Sequence, residues 1–388
     1  MKRSSKNKGK RKKLTNESGL VRVGIIGPSW WVNYWHLAGL KTHAKASIVA
    51  VCGTKSRGAE DTEKYGVDVP AFTDFERMLD EVEMDGVVVC TPNNLHYAAS
   101  MAALKRGKHV ICEKPMAMNA TQAKEMAETA DALGLLAMVN FPYRDNPNVI
   151  EFRKRIAEGY IGKILHVSGQ YHGGFGSHRP PGWRGDREKS GAGILGDLGS
   201  HLIDLARYAT HLEFSSVCAH NMTVFREADT IELIRTEDAR AGSRNDDACA
   251  FLSEFEGGAQ GVFHTSWVAY QGGYAQHQEL EVFGTEGRLH YMANHSGTCL
   301  KGIREGKEQF FEVAHVPGVR QPEEGHSEED TFRPGRHSPS NTTYRWIEAI
   351  STGQKSVSPD MREGLKSQLV IDAILKSSAN RKWEMVGE

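Results

Sequence analysis

Three side chains near the middle of this 388-residue chain stand at a spacing that acid–base chemistry can use. Asp197, His201 and Asp204 fall at i, i+4 and i+7, which puts a carboxylate, an imidazole and a second carboxylate on one face of a helix. Leu198, Leu202 and Leu205 form the neighbouring apolar stripe that would seat that helix on a core. An imidazole with an ordinary pKa of about 6.5 is suited to accepting a proton at neutral pH. The same three groups could instead ligate a metal in a hydrolase, although no His-Glu-x-x-His or Cys-x-x-Cys segment accompanies them. A lone Asp-x-x-x-His also fits a surface ion pair or a hydrogen-bonded core histidine, so its partners decide between these readings.

Two segments invite comparison with a phosphate-cradling glycine turn. Gly191-Ala-Gly193-Ile-Leu-Gly196 matches the G-x-G-x-x-G pattern literally, yet it follows a charged stretch and no strand. Gly27-Pro-Ser29-Trp30-Trp31-Val32 departs from the pattern but directly follows an apolar run and opens a helix. There Gly27 makes the tight turn, while Ser29 and Val32 replace the second and third glycines. The N–H groups of Ser29, Trp30 and Trp31 at the helix start can still hold a pyrophosphate. The second apolar run ends in Gly53, followed by Thr54-Lys55-Ser56-Arg57. An acidic residue here would bind a ribose 2′-hydroxyl. Two cations and two hydroxyls suit a 2′-phosphate better and favour NADP over NAD.

These residues need elements to hold them. Leu20–Ile26, Ser47–Cys52, Gly86–Cys90, Val110–Cys112 and Leu136–Asn140 are short apolar runs that read as strands. Helical patterns lie between them over 31–43, 57–65, 75–82 (with Asp74 as N-cap), 95–106 and 121–133. Alternation of this kind means βαβ units and a doubly wound parallel sheet, whose ligands lie beyond the carboxyl ends of the strands. Beyond 140 the pattern changes to runs of strands, at Leu165–Tyr171, Ala248–Phe255, Gly261–Val268 and Leu280–Phe283, with one helix near 197–209 and another at the C-terminus. This predicts an α+β domain on a mostly antiparallel open sheet. The boundaries are 1–19 for a basic arm, 20–142 for a Rossmann domain and 143–388 for the second domain. The stretch 316–340 has no periodicity and reads as a long loop, with Arg336 and His337 as candidate substrate contacts.

Three further segments add a family resemblance: Thr91-Pro-Asn-Asn-Leu-His96, Glu113-Lys114-Pro115 and Asp197-Leu-Gly-Ser-His201. Their order and spacing resemble the glucose–fructose oxidoreductase / inositol dehydrogenase / MocA family of NAD(P)-dependent enzymes over roughly residues 20–380. The resemblance implies that Lys114, Asp197 and His201 face the nicotinamide and the substrate carbinol. It further implies that Thr91, Pro92, Asn93, His96 and Glu113 line the cofactor and that Trp183 and Arg184 sit near the nicotinamide. It suggests a Lys114–Pro115 bond that is often cis in relatives, and a homo-oligomer that covers the open sheet. Lys114 would hydrogen-bond the substrate oxygen, and either Lys114 or His201 is the formal base. Tyr143, Tyr171, His172, His178, Arg179 and Trp183 supply the aromatic and hydrogen-bonding surface that a sugar, inositol or glycoside needs. An NAD-dependent glycosidase working by transient oxidation and a non-catalytic dinucleotide sensor remain alternatives.

Composition narrows the field. Residues 1–20 hold eight of the 48 Lys/Arg and one of the 49 Asp/Glu, leaving 40 basic against 48 acidic residues in the body. Such a body argues against a nucleic-acid binder. No apolar run approaches the ~18 residues of a membrane helix, and none follows the basic arm as a secretory signal would require. Six cysteines without a paired spacing imply a reducing, cytoplasmic setting with no disulfide framework.

Overall fold

A computed structural model of the chain describes residues 19–54, 69–177, 182–227, 230–238, 241–269, 276–294, 297–311, 336–337 and 339–387. Strands β1 (Val21–Ile26), β2 (Ala46–Cys52), β3 (Ala71–Phe72), β4 (Gly86–Val89), β5 (His109–Cys112) and β6 (Ala137–Val139) form one parallel sheet in the order β3-β2-β1-β4-β5-β6. Helices α1 (Leu37–Thr42), α2 (Phe75–Glu81), α3 (Asn93–Lys105) and α4 (Ala120–Leu133) connect the strands. Every residue of β4 is buried, as expected of a strand covered on both faces. Asp74 caps α2 by accepting from the N–H groups of Glu76 and Arg77. The strand order reverses between β1 and β4, which places the ligand crevice at the turns that follow those two strands. The expected helix over 57–65 and residues Lys55, Ser56 and Arg57 lie outside the described residues, as do His178, Arg179 and most of 316–340.

The second half carries a ten-stranded sheet made of β7 (Ile164–Gly173), β8 (Phe214–Glu227), β9 (Thr230–Arg235), β10 (Ala248–Phe255), β11 (Gln260–Ser266), β12 (Gln276–Gly284), β13 (Gly287–Asn294), β14 (Gly297–Arg304), β15 (Lys307–Phe310) and β16 (Glu384–Met385). All its pairs are antiparallel except β7 with β11. Helices α5 (Pro147–Ala157), α6 (Arg187–Ser190), α7 (Ser200–Thr210), α8 (Thr342–Thr352) and α9 (Met361–Asn380) complete the chain. Leu202, Leu205, Val370 and Ile374 from α7 and α9 pack on Val167, Phe251, Phe263 and Leu280 of the sheet. On the opposite face the cross-strand neighbours Leu252 and Val262 are 48% and 56% exposed in the single chain.

The C-terminal segment returns to the nucleotide domain. Trp346 and Ile347 of α8 join Val23, Ile25, Val88 and Ile111 in its core, and Trp346 Nε1 donates to Leu136 O at 3.1 Å. Helix α9 starts in a second cluster of the nucleotide domain, where Met361 and Leu365 join Val87, Val89 and Val110, and ends in the core of the other domain with Val370 and Ile374. One 20-residue helix of roughly 30 Å therefore braces both halves, and residues after 142 contribute to both cores. Among the described residues no helix is long and apolar enough to cross a membrane, and all six cysteines are free.

Candidate active site

The turn after β1 is built around Gly27. Its φ is 88°, and a Cβ there would stand 2.5 Å from Cys90 O and 2.8 Å from Thr91 N, so only glycine lets the two crevice turns meet. Ser29 fills the place of a second glycine without blocking the helix start: its Oγ accepts from Val32 N at 3.2 Å and lies 3.3 Å from Cys90 Sγ. Residues Val32–His36 then form a wider π-helical turn before α1. Trp30 is 59% exposed and stacks on Tyr34 at 5.3 Å. Thr91, whose main-chain N abuts Gly27, has an Oγ1 that is buried with no hydrogen-bond partner among the described residues. A glycine-dependent turn at a helix start, with an orphaned hydroxyl beside it, fits a dinucleotide pyrophosphate.

The glutamate of the Glu113-Lys114-Pro115 segment anchors this region from below. Its Oε1 accepts from Trp31 Nε1 and Asn140 Nδ2, both at 2.5 Å, and lies 2.9 Å from His36 Nε2; Oε2 accepts from Lys114 N. Burial alone would push this carboxyl up, but the bond to His36 and the charges of His36 and Lys114 outweigh it and hold the group low. His36, Cys90 and Glu113 form the one group of metal-ligand type among the described residues. Its donors are already committed, because His36 Nδ1 lies 2.8 Å from Thr343 Oγ1. His96 is buried with Nδ1 at 2.8 Å from Pro115 O and Nε2 at 3.0 Å from Thr91 O, and burial lowers its pKa. It ties the turn after β4 to the loop after β5. The Lys114–Pro115 bond is cis.

Lys114 reaches from that loop to the second domain. Its Nζ donates to Asp197 O at 2.8 Å and to Asp197 Oδ1 at 2.9 Å, while Arg184 Nε lies 3.2 Å from Oδ2. Burial would raise the Asp197 carboxyl, but the charges of Arg184 and Lys114, with the Lys114 hydrogen bond, hold it well below the usual carboxylate range. His201 also pulls it down and so lies in the same electrostatic neighbourhood. The His201 ring is buried and sits edge-on to Tyr143 at 4.8 Å, with Tyr171 at 6.2 Å and Phe141 at 6.3 Å. The Tyr143 and Tyr171 hydroxyls bond each other, and Tyr171 donates to Gln276 at 2.9 Å. The arrangement can hold an oxygen with an ammonium N–H, keep an anion beside it, and present an imidazole within an aromatic box.

Asp204 does not join this group. A π-helical turn at Leu195–Gly199 precedes α7 and breaks the regular helical step between residues 197 and 204. Asp204 instead bonds Arg144 through both oxygens, at 2.8 and 2.5 Å, in the core. With Asp204 paired there and Asp197 held by two cations, neither is placed to ligate a metal. Trp183 stacks on the Arg184 guanidinium at 4.6 Å, and Arg336 packs over Tyr34 at 4.0 Å, next to exposed His337. Asn93 is buried and donates to Ser190 O at 2.9 Å across the domain boundary. Sequence reasoning passed over Ser190, Asn245 and Asp246, which hold the segments carrying Arg184 and Asp197. The contacts of Asn245 and Asp246 with this segment, and that of Ser190 O with Asn93, span more than 50 residues, so no local pattern announces them.

Two family models cover most of this chain: an oxidoreductase-family NAD-binding Rossmann model over residues 21–141 and a GFO/IDH/MocA C-terminal domain model over 149–290. Levoglucosan dehydrogenase of Pseudarthrobacter phenanthrenivorans is 29% identical over 338 residues, covering 84% of this chain and 85% of its own. Myo-inositol 2-dehydrogenase of Thermotoga maritima is 29% identical over 272 residues, covering 69% and 74%. A solved levoglucosan dehydrogenase in complex with NADH and levoglucosan superposes with a TM-score of 0.79 at 27% identity, covering 95% of this chain and 100% of its own. A glycine-turn Rossmann sheet joined through Lys114 and Asp197 to an antiparallel second domain, matched along both halves by these models, places the chain in the Gfo/Idh/MocA family of nicotinamide-dependent oxidoreductases.

Proposed function

We propose that the protein interconverts a secondary alcohol of a sugar, inositol or glycoside with its ketone, using NAD(P). The observation that carries this reading is the Lys114–Asp197 contact: it brings an ammonium from the nucleotide domain and a carboxylate from the other domain to one point at the crevice. The nicotinamide, when bound, supplies the hydride acceptor or donor. Lys114 directs its remaining N–H at the substrate oxygen and stabilises charge as it develops there. Asp197 orients Lys114 and, as a held anion, favours positive charge on the neighbouring imidazole. His201 takes the hydroxyl proton, and Tyr143 and Tyr171 fix its ring.

The absence of a carboxylate from Thr54-Lys55-Ser56-Arg57 supports NADP as the preferred dinucleotide. The open sheet face around Leu252 and Val262 supports association with a second copy of the chain. The test is a spectrophotometric screen of levoglucosan, inositols, hexoses and glucosides with NAD and NADP side by side. Sustained, substrate-dependent dinucleotide reduction is expected; no reduction with any polyol refutes the proposal.

A further inference from the structure

Asn93 follows the Thr91-Pro92 turn at the end of β4, where a cofactor ligand is expected, yet its side chain is only 4% exposed. Its Nδ2 donates to Ser190 O at 2.9 Å, and a Cβ added to Gly196 would sit 4.0 Å from the same nitrogen. The amide therefore lies beneath the start of the segment that carries Asp197. Ser190 is itself a junction. Its hydroxyl lies 2.7 Å from Arg184 O and 3.1 Å from Asp186 O, and it accepts from Asn245 Nδ2 at 2.6 Å; that nitrogen also lies 3.3 Å from Arg184 O.

Asp246, the next residue, grips the other side. Its two carboxylate oxygens accept from Gly193 N and Leu195 N, both at 2.8 Å, and its carbonyl accepts from Ile194 N at 3.0 Å. Gly193 O in turn accepts from Asp197 N at 3.0 Å. This gives the literal glycine motif its use: a Cβ at Gly193 would lie 2.2 Å from Asp246 O, so glycine is what lets the clamp close. A buried chain of hydrogen bonds thus runs from the nucleotide turn through Ser190 and Asn245–Asp246 to the Arg184 main chain and to Asp197, whose carboxylate Arg184 holds.

We infer that Asn93 is a positioning residue and not a dinucleotide ligand: it locks the turn after β4 to residues 184–197, so that the state of the nucleotide turn sets the Arg184–Asp197 geometry. Its catalytic consequence rests on the proposed oxidoreductase reading, but the latch itself does not. A buried amide whose hydrogen bond goes to a main-chain carbonyl of the other domain has that bond at stake whatever the substrate is.

The test uses the full chain with NADH as the probe. NADH affinity is read from quenching of tryptophan fluorescence, and amide hydrogen exchange is followed over residues 184–197. In wild type, NADH slows exchange in this segment. In Asn93→Ala, NADH affinity is unchanged, the segment exchanges faster and no longer responds to NADH. kcat on the best substrate from the screen falls by about 10- to 100-fold with little change in KM. Asn245→Ala, which leaves the nucleotide turn untouched, reproduces the faster exchange and guards against a folding failure of the first variant. The double variant is no worse than either single one. Weaker NADH binding with unchanged exchange would make Asn93 a dinucleotide ligand and overturn the inference; so would exchange that is insensitive to NADH in wild type, or insensitive to the substitution. If no sugar or polyol turns over but the exchange pattern appears, the latch stands and the oxidoreductase reading falls.

Discussion

Replacing Lys114 by Met tests the proposed chemistry most directly, because the side chain's three N–H groups have separable duties. Two are committed, at 2.8 and 2.9 Å, to the carbonyl and carboxylate of Asp197. The third is the donor assigned to the substrate oxygen. Loss of one preorganised donor at a developing oxyanion costs about 10²–10³ in kcat. Methionine keeps most of the volume, so no large cavity opens. Removing one member of a buried ion pair costs about 3–5 kcal/mol when the other is left alone. Here Asp197 keeps Arg184 at 3.2 Å, and the Arg184 side chain is 40% exposed, so the stability loss should fall below that range. Lys114→Met is therefore expected to lower kcat by about 10²–10³ while NADH binding and the melting temperature stay near wild type. Turnover is read from dinucleotide absorbance, NADH affinity from fluorescence quenching, and Tm by calorimetry. A kcat close to wild type, or a loss explained wholly by weaker NADH binding, would refute the role given to this ammonium.

Further expectations follow from single contacts. His201→Asn removes the proposed base and should lower kcat by about 10²–10⁴, with the residual rate rising with pH as solvent hydroxide substitutes; a pH–rate profile of unchanged height and shape would count against it. Gly27→Ala forces a residue at φ 88° to carry a Cβ 2.5 Å from Cys90 O, and NADH affinity should fall by more than about tenfold; tight binding by the variant would remove Gly27 from the cradle. Burial pushes the Asp145 carboxyl up to about 6 from 3.8 against the pull of Arg345. The folded protein then binds that proton more tightly than the unfolded chain, so wild type should lose stability relative to Asp145→Asn as pH rises from about 4 to 6, by roughly 3 kcal/mol in all. Urea unfolding at pH 4 and pH 7 reads this, and a difference that does not change with pH would rule it out.

The first domain was legible because its strands are short apolar runs punctuated by clear signals such as Gly27 and the Asp74 cap. The second domain was less so. Strand β8 buries polar groups such as Asn221 and Thr223, which blurs the alternation that marks a strand. Helix α8 was missed although Asn341 caps it and Gly353 ends it. At the site, Lys114 and Asp197 were identified through family order, and their meeting belongs to the tertiary fold. Asn93 and His96 mark the limit of that reading. A buried amide or imidazole looks the same in sequence whether its partner is a ligand or a main-chain carbonyl, and here the partners are Ser190 O, Pro115 O and Thr91 O. Asp204 was misplaced because a regular helix was assumed where a π-helical turn intervenes.

The contacts of the two candidates for the base, which sequence left open, support the proposed choice of His201. Lys114 faces a main-chain carbonyl and a carboxylate, both pure acceptors, so its place in this network is that of a donor. A lysine acting as the base would have to stand as the neutral amine before taking the hydroxyl proton, and so would give up its ion pair with the Asp197 carboxylate. The His201 ring lies against Tyr143, Tyr171 and Phe141 at 4.8 to 6.3 Å, and the Asp197 anion, which acts on it through space, favours the imidazolium that proton uptake creates. One carboxylate then serves both partners: it holds the ammonium in place by hydrogen bonds and favours the imidazolium through space. Asp197→Asn should accordingly cost more than the loss of either partner's contact alone would suggest, because it loosens the donor and weakens the base together. Measuring Asp197→Asn, Lys114→Met and the double variant decides the point. A double variant as slow as the product of the two single losses would mean that Asp197 and Lys114 act independently, and the shared-carboxylate account would fail.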